Sequence, residues 1–210
     1  MEFKISRELI QELELLIQEN KEQDVLHLLE DMHYADVAEI MEELSDEDAI
    51  YVFNTLDSEK TAEILLELDD ETRVKILKSL TPKEIADELD ELDTDDAADI
   101  IAELPQAKKE QVISELEDVE HAKDIVDLLR YDEDSAGGLM AKELVKVNEN
   151  WNVLTCVKEM RAQAENVTRV HSIYVVDDEN RLKGRLSLKD LLTTSTKTPI
   201  SEVYIPKVDY

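Results

Sequence analysis

The residues with the types and spacing to do chemistry are carboxylates. Between Glu84 and Glu103 stand ten acids (84, 87, 88, 90, 91, 93, 95, 96, 99 and 103) and no base. Asp95 and Asp99 are four apart, which places both on one face of a helix, with Asp96 three before Asp99. Like charges at that spacing destabilise a helix by roughly 0.2–0.5 kcal/mol per pair. One reading is a solvated acidic face with helix N-caps. The other is a weak divalent-cation site. Mg²⁺ takes oxygen ligands, keeps several waters and needs only one or two protein carboxylates, so such a surface suffices. Asp93 is explained as a cap, whereas the repeat described below gives no structural reason for Asp95 and Asp99. The four histidines (27, 33, 121 and 171) are scattered without ligand spacing and read as structural or surface residues. No Ser-His-Asp, Cys-His or phosphate-loop arrangement occurs, so no enzyme is expected.

The elements that position these acids follow from a repeat. Leucine recurs at 44, 56, 68, 80, 92, 104, 116 and 128, always twelve residues apart. Three positions before each stands an apolar partner: Met41, Phe53, Leu65, Leu77, Leu89, Ile101, Ile113 and Ile125. That is helical spacing, one apolar stripe per short segment. After the leucine comes a helix-start residue, as in Ser45, Asp57, Asp69, Thr81 and Asp93. Thr81-Pro82-Lys83-Glu84 adds proline at the first helical position and a capping-box glutamate. Two turns of helix are too short to stand alone, so neighbours must bury one another's stripes. The expectation is an all-helical superhelix from about residue 5 to 130.

Beyond Gly137-Gly138 the rhythm changes. Leu144 to Val147 reads as a strand, Asn152 to Ala164 as an amphipathic helix, and His171 to Val176 as a second strand. A turn at Asp177 to Asn180 leads into a strand over Arg181 to Leu186, and Ser187 opens a helix through Leu192. This is a small α/β module. The predicted fold class is thus α + α/β, an all-α superhelix of short helices followed by the module. The expected domains are 1–130, a linker at 131–138, chosen because Gly-Gly tolerates unusual backbone angles, and 139–210.

Composition bounds the function. The 210 residues carry 53 Asp+Glu against 23 Lys+Arg, a net charge of −30. Residues 1–140 hold 43 acids and 12 bases, while residues 141–210 hold 10 acids and 11 bases. So acidic a chain repels phosphates, which argues against nucleic acid and against an anionic membrane surface. A hydrophobic fraction of 42% supports a packed core. The longest apolar run, Ala49 to Phe53, is far short of a membrane span. With one cysteine, Cys156, and no signal-peptide pattern, a soluble, reduced, cytosolic chain is expected.

Gly184-Arg185-Leu186-Ser187-Leu188-Lys189-Asp190 resembles the end signature of a CBS domain, with Arg185 the one departure. Acidic twelve-residue helical repeats running through Tyr131-Asp132-Glu133-Asp134-Ser135-Ala136-Gly137-Gly138-Leu139-Met140 into such a module resemble the MgtE family of magnesium channels. The resemblance covers nearly the whole chain. It implies a cytosolic Mg²⁺-sensing and gating region at the cytoplasmic face of the membrane, with Mg²⁺ as regulatory ion. Metal ligands fall by alignment on Asp95, Asp99 and Glu63, and on the backbone carbonyl of Gly138. Partners implied are a second CBS domain, the transmembrane pore of the same protein, and a second copy in a homodimer. Ser187 and Asp190 match positions that face the phosphate and ribose of ATP in related domains. From the residues alone they are a helix N-cap and a first-turn acid. Ser172 stands where an aromatic flanks adenine in ATP-binding members. The alternative from another class is a protein-interaction scaffold, because the flagellar motor-switch protein has a similar superhelix. The CBS-like module argues against it.

Overall fold

The computed structural model describes residues 5–132, 135–164 and 172–206. Ten short α-helices come first: α1 (Arg7–Gln18), α2 (Glu22–Leu29), α3 (Tyr34–Glu43), α4 (Asp46–Thr55), α5 (Ser58–Glu67), α6 (Asp70–Ser79), α7 (Pro82–Leu89), α8 (Thr94–Glu103), α9 (Gln106–Glu115) and α10 (Val119–Leu128). Then follow β1 (Val145–Asn148), α11 (Val153–Ala164), β2 (Ile173–Val176), β3 (Leu182–Leu186) and α12 (Leu188–Thr193), with a 3₁₀ turn at Ile200–Glu202. The α plus α/β class is as expected. Expected His171, at the start of the second strand, lies outside the described residues.

The repeat works because, from Leu44 to Leu80, each leucine ends one helix and the residue after it starts the next. From α3 to α6 the helices are ten residues long, and the leucine at each C-cap is extended. The following polar side chain then accepts from the next helix's orphan amides. Ser45 Oγ accepts from Asp48 N at 3.2 Å, Asp57 Oδ1 from Lys60 N at 3.1 Å, and Asp69 Oδ1 from Thr72 N at 2.7 Å. The capping box forms in full, since Glu84 Oε2 accepts from Thr81 N at 2.7 Å and Thr81 Oγ1 from Glu84 N at 3.3 Å. Asp93 departs from the pattern: it occupies the N-cap position of α8, but its side chain makes no cap hydrogen bond.

Helices pack on their second neighbours, α3 on α5, α5 on α7 and α7 on α9 in one row, α2 on α4 and α4 on α6 in another, with α8 on α10. The apolar stripes meet in one continuous core that includes Leu13, Val37, Ile40, Ile64, Leu65, Ile85, Leu89 and Ile101, each fully buried. Several bases of this acidic region serve at helix C-termini, where unsatisfied carbonyls attract cations. Lys60 Nζ donates to the carbonyls of Leu29, Glu30 and Met32 at 2.6, 3.0 and 3.0 Å. Lys108 Nζ donates to those of Leu77 and Leu80 at 2.6 and 2.8 Å. Arg73 reaches the carbonyls of Leu65 and Leu68.

The chain divides into two compact units, 1–140 and 141–210. The segment before the division shows why a glycine is needed at 137. A Cβ there would lie 2.3 Å from Cδ1 of the Tyr131 ring. No glycine takes a positive φ, so close approach, and not the backbone freedom expected from Gly-Gly, is the reason.

In the second unit the sheet order is β1-β2-β3, with β1 parallel and β3 antiparallel to β2. Val145, Val147, Ile173, Val175 and Leu186 turn inward to meet Val153, Cys156, Leu191 and Ile200. β3 is also flanked by Ile205, whose amide and carbonyl both pair with Arg185, at 2.9 and 3.0 Å. Gly184 permits this, because a Cβ there would stand 2.2 Å from the Ile205 carbonyl oxygen.

Candidate functional site

Helix α8 presents Asp95, Asp96 and Asp99 in its first two turns, just after Leu92, which is buried in the core. Thr94 is buried, Asp95 and Asp96 are half-buried, and Asp99 is exposed. The electrostatic consequence falls on Asp96. Burial first, then the charges of Asp95, Asp93, Asp99 and Glu63, push its carboxyl up to about 6. Glu63 sits on α5, so the fold brings an acid from more than thirty residues away into the field of the α8 cluster. Asp95, Asp99 and Glu63 thus each oppose the charge of Asp96.

Gly138 lies in the turn after Ser135, where its amide donates to Ser135 Oγ at 3.2 Å. Among the described residues, no three His, Cys, Asp or Glu side chains converge tightly enough to hold a metal ion by themselves. A hydrated Mg²⁺, which keeps several waters, needs only one or two protein carboxylates.

Two acids outside the expected ligand set are made unusual by the fold. Asp96 is one; its position between Asp95 and Asp99 in a base-free run was the available signal. The other is Glu88 on α7, half-buried, whose Oε2 lies 2.6 Å from the hydroxyl of buried Thr61 on α5. Burial drives its carboxyl up to about 7, with Asp87, Glu91 and Asp57 adding repulsion and the Thr61 hydrogen bond opposing. Nothing local in the sequence marks a contact between residues 27 apart.

In the second unit a cavity of about 300 Å³ is lined by Ser172, Ile173, Arg185, Leu186, Ser187, Leu188 and Ile205. Ser187 is thus placed with Ser172 and the one cation Arg185, while Asp190 sits in the first turn of α12 and is not in the lining. Ser187 holds the N-cap position without a side-chain cap bond, so its expected structural job is not performed.

Comparison with known proteins decides the family. The profile of the MgtE intracellular N domain matches residues 32–134, and that of the CBS domain residues 136–197. The crystal structure of the cytosolic domain of the Mg²⁺ channel MgtE in complex with ATP superposes with a TM-score of 0.85 at 34% identity, covering 96% of this chain and 82% of that one. The chain belongs to the MgtE family. A second crystal structure, of the soluble part of a magnesium transporter, matches with a TM-score of 0.78 at 26% identity, over 96% of this chain and 79% of that one. Among MgtE sequences, the magnesium transporter of Thermus thermophilus is 45% identical over 83 residues, which is 40% of this chain and 18% of the transporter. That of Enterococcus faecalis is 34% identical over 89 residues, 42% of this chain and 20% of the transporter. The matched stretches are thus about a fifth of those MgtE transporters. No helix among the described residues is long and apolar enough to cross a membrane.

Proposed function

We propose that this chain is the cytosolic Mg²⁺-sensing and gating region of an MgtE-type magnesium channel, without enzymatic activity. Its helical sensor is residues 1–130, its linker 131–138 and its first CBS domain 139–210. What supports the reading is the base-free acidic run from Glu84 to Glu103, in which the charges of Asp95, Asp99 and Glu63 oppose ionisation of Asp96, a repulsion that a divalent ion relieves. In this reading Asp95, Asp99 and Glu63 bind hydrated Mg²⁺ and the Gly138 carbonyl adds an oxygen, the other ligands coming from a second CBS domain. When Mg²⁺ is scarce the acidic faces repel and the assembly loosens. When it is plentiful, ions neutralise those faces and favour a compact state that closes the pore. The ion shifts the population only through its better affinity for the compact state. The working assembly is a homodimer on the cytoplasmic face of the membrane, joined to its own pore.

The cavity at Ser172, Arg185 and Ser187 is proposed as a weak ATP subsite, with Asp190 nearby on α12 to meet the ribose. Its volume lies at the small end for a ligand pocket, which fits a half-site completed by a second CBS domain. The test of the sensor is a Mg²⁺ titration of melting temperature and radius of gyration against NaCl at matched ionic strength. A larger effect of Mg²⁺ supports the reading, and equal effects reduce it to general screening.

A further inference from the structure

The contact between Glu88 and Thr61 has a proton count that points to a switch. The Thr61 hydroxyl has one proton and three acceptors in reach: the Asp57 carbonyl at 2.9 Å, the Ser58 carbonyl at 3.3 Å and Glu88 Oε2 at 2.6 Å. Thr61 is 1% exposed, so water cannot make up for a lost partner. A buried helical threonine satisfies itself by donating to the carbonyl four residues back, here Asp57. With the proton directed at that carbonyl, its oxygen meets Glu88 as an acceptor; with the proton turned to Glu88 Oε2, the hydroxyl instead helps hold the ionised form. In the first arrangement two acceptors 2.6 Å apart repel unless the carboxyl carries a proton and donates it to Thr61 Oγ1.

We propose that the Glu88–Thr61 contact is a proton-dependent joint between α5 and α7, closed when Glu88 is a neutral acid and loosened when it becomes a carboxylate. Burial and the neighbouring carboxylates favour the neutral form, against the Thr61 hydrogen bond, which favours the carboxylate. Asp57 faces it from the start of α5, and Asp87 and Glu91 flank it on its own side. Glu84, Asp87, Glu88, Asp90, Glu91 and Glu117 share one cleft of about 450 Å³. Asp90 Oδ2 accepts from Glu117 N at 3.0 Å, while its Oδ1 is buried with no hydrogen-bond partner among the described residues. The nearby cations are engaged elsewhere, Lys83 with Asp87 and Glu117, and Lys108 with the carbonyls of Leu77 and Leu80. Lys60 is held by the carbonyls at the end of α2, and His121 of α10 lies with Nε2 3.2 Å from the Leu89 carbonyl, so each cation named here already has another partner.

The joint does not depend on metal binding. α5 and α7 are adjacent in the stack, and in a solenoid a loosened neighbour contact is felt along the array. A change of pH around neutrality would therefore alter the stiffness of this part of the superhelix.

The sign follows from the raised folded-state value. The stabilisation is fully present below the unfolded carboxyl's ordinary value, near 4.5, and is lost as pH rises to about 7. The test compares the whole chain with Glu88→Gln, which keeps the shape and an N–H donor but cannot ionise. Between pH 5 and 8 the unaltered chain should lose roughly 5 °C more in Tm than Glu88→Gln does. In parallel, the side-chain carboxyl ¹³C signal of Glu88 in the unaltered chain should titrate close to neutrality, and exchange of amides in α5 and α7 should quicken over the same range. Equal pH slopes for the two proteins would overturn the joint. A Glu88 carboxyl titrating in the ordinary range of about 4–5 would overturn it as well, even if the variant failed to fold.

Discussion

Lys60→Met tests whether the acidic superhelix depends on its few internal cations. Lys60 is half-buried, and its ammonium donates to three carbonyls at the end of α2, the shortest at 2.6 Å. Methionine keeps the stem and its packing but leaves those carbonyls without their donor. A hydrogen bond to a charged group is worth about 1.5–3 kcal/mol net, and three bonds to one ammonium do not add. Desolvation, which lowers the Lys60 pKa, offsets part of the gain. The net loss should be about 2 kcal/mol, or roughly 4–8 °C in Tm for a chain of this size. The loss should also be local. Hydrogen exchange should quicken in α2 and α4, where the uncapped end packs, with amides of α10 and of β1 to β3 unchanged. Thermal melts with exchange mass spectrometry read both. A Tm change under about 1 °C would refute the capping role, and uniform loss of protection would refute the nearest-neighbour account.

Three further outcomes are expected. Leu65→Ala, at a fully buried position of α5, should cost about 2–5 kcal/mol by chemical denaturation. Gly184→Ala should cost about 1–3 kcal/mol and speed exchange at Arg185 and Ile205, since the new Cβ meets the Ile205 carbonyl; an unchanged melt would contradict that close approach. If ATP enters the second unit's cavity, Arg185→Ser should weaken its binding about tenfold by calorimetry, and an unaltered affinity would place the nucleotide elsewhere.

The elements were legible where the determinant is local. The twelve-residue leucine spacing and the caps at Ser45, Asp57, Asp69 and Thr81 gave the helices, and the β-branched runs around Val145 and Val175 gave the strands. What stayed hidden depends on packing across the stack. Lys60 reaches back about thirty residues to the end of α2, Lys108 does the same to α6, and Glu88 meets Thr61. Asp93 looked like its fellow caps, yet its side chain makes no cap bond. Asp95 and Asp99 were visible as an i,i+4 pair, but the pressure on Asp96 needed Glu63 to be folded in beside it. Glu42, an ordinary surface acid by sequence, proves to accept from Asp69 N at 2.7 Å and so to brace a neighbouring helix start.

That brace decides the design of the central experiment, because acids used as a control must have no structural role. Asp95→Asn with Asp99→Asn removes two charges from α8 while keeping side-chain shape. Glu8→Gln with Glu12→Gln removes the same charge from the exposed face of α1, also at i,i+4 spacing. Net charge is equal in the two double variants, so screening cannot separate them. The measurement is the Mg²⁺-induced fall in radius of gyration by small-angle scattering, at ionic strength fixed with NaCl. A sensor anchored on α8 predicts that the Asp95/Asp99 variant loses most of this compaction while the Glu8/Glu12 variant keeps it. Equal compaction of both variants by Mg²⁺ would contradict a defined site at Asp95 and Asp99.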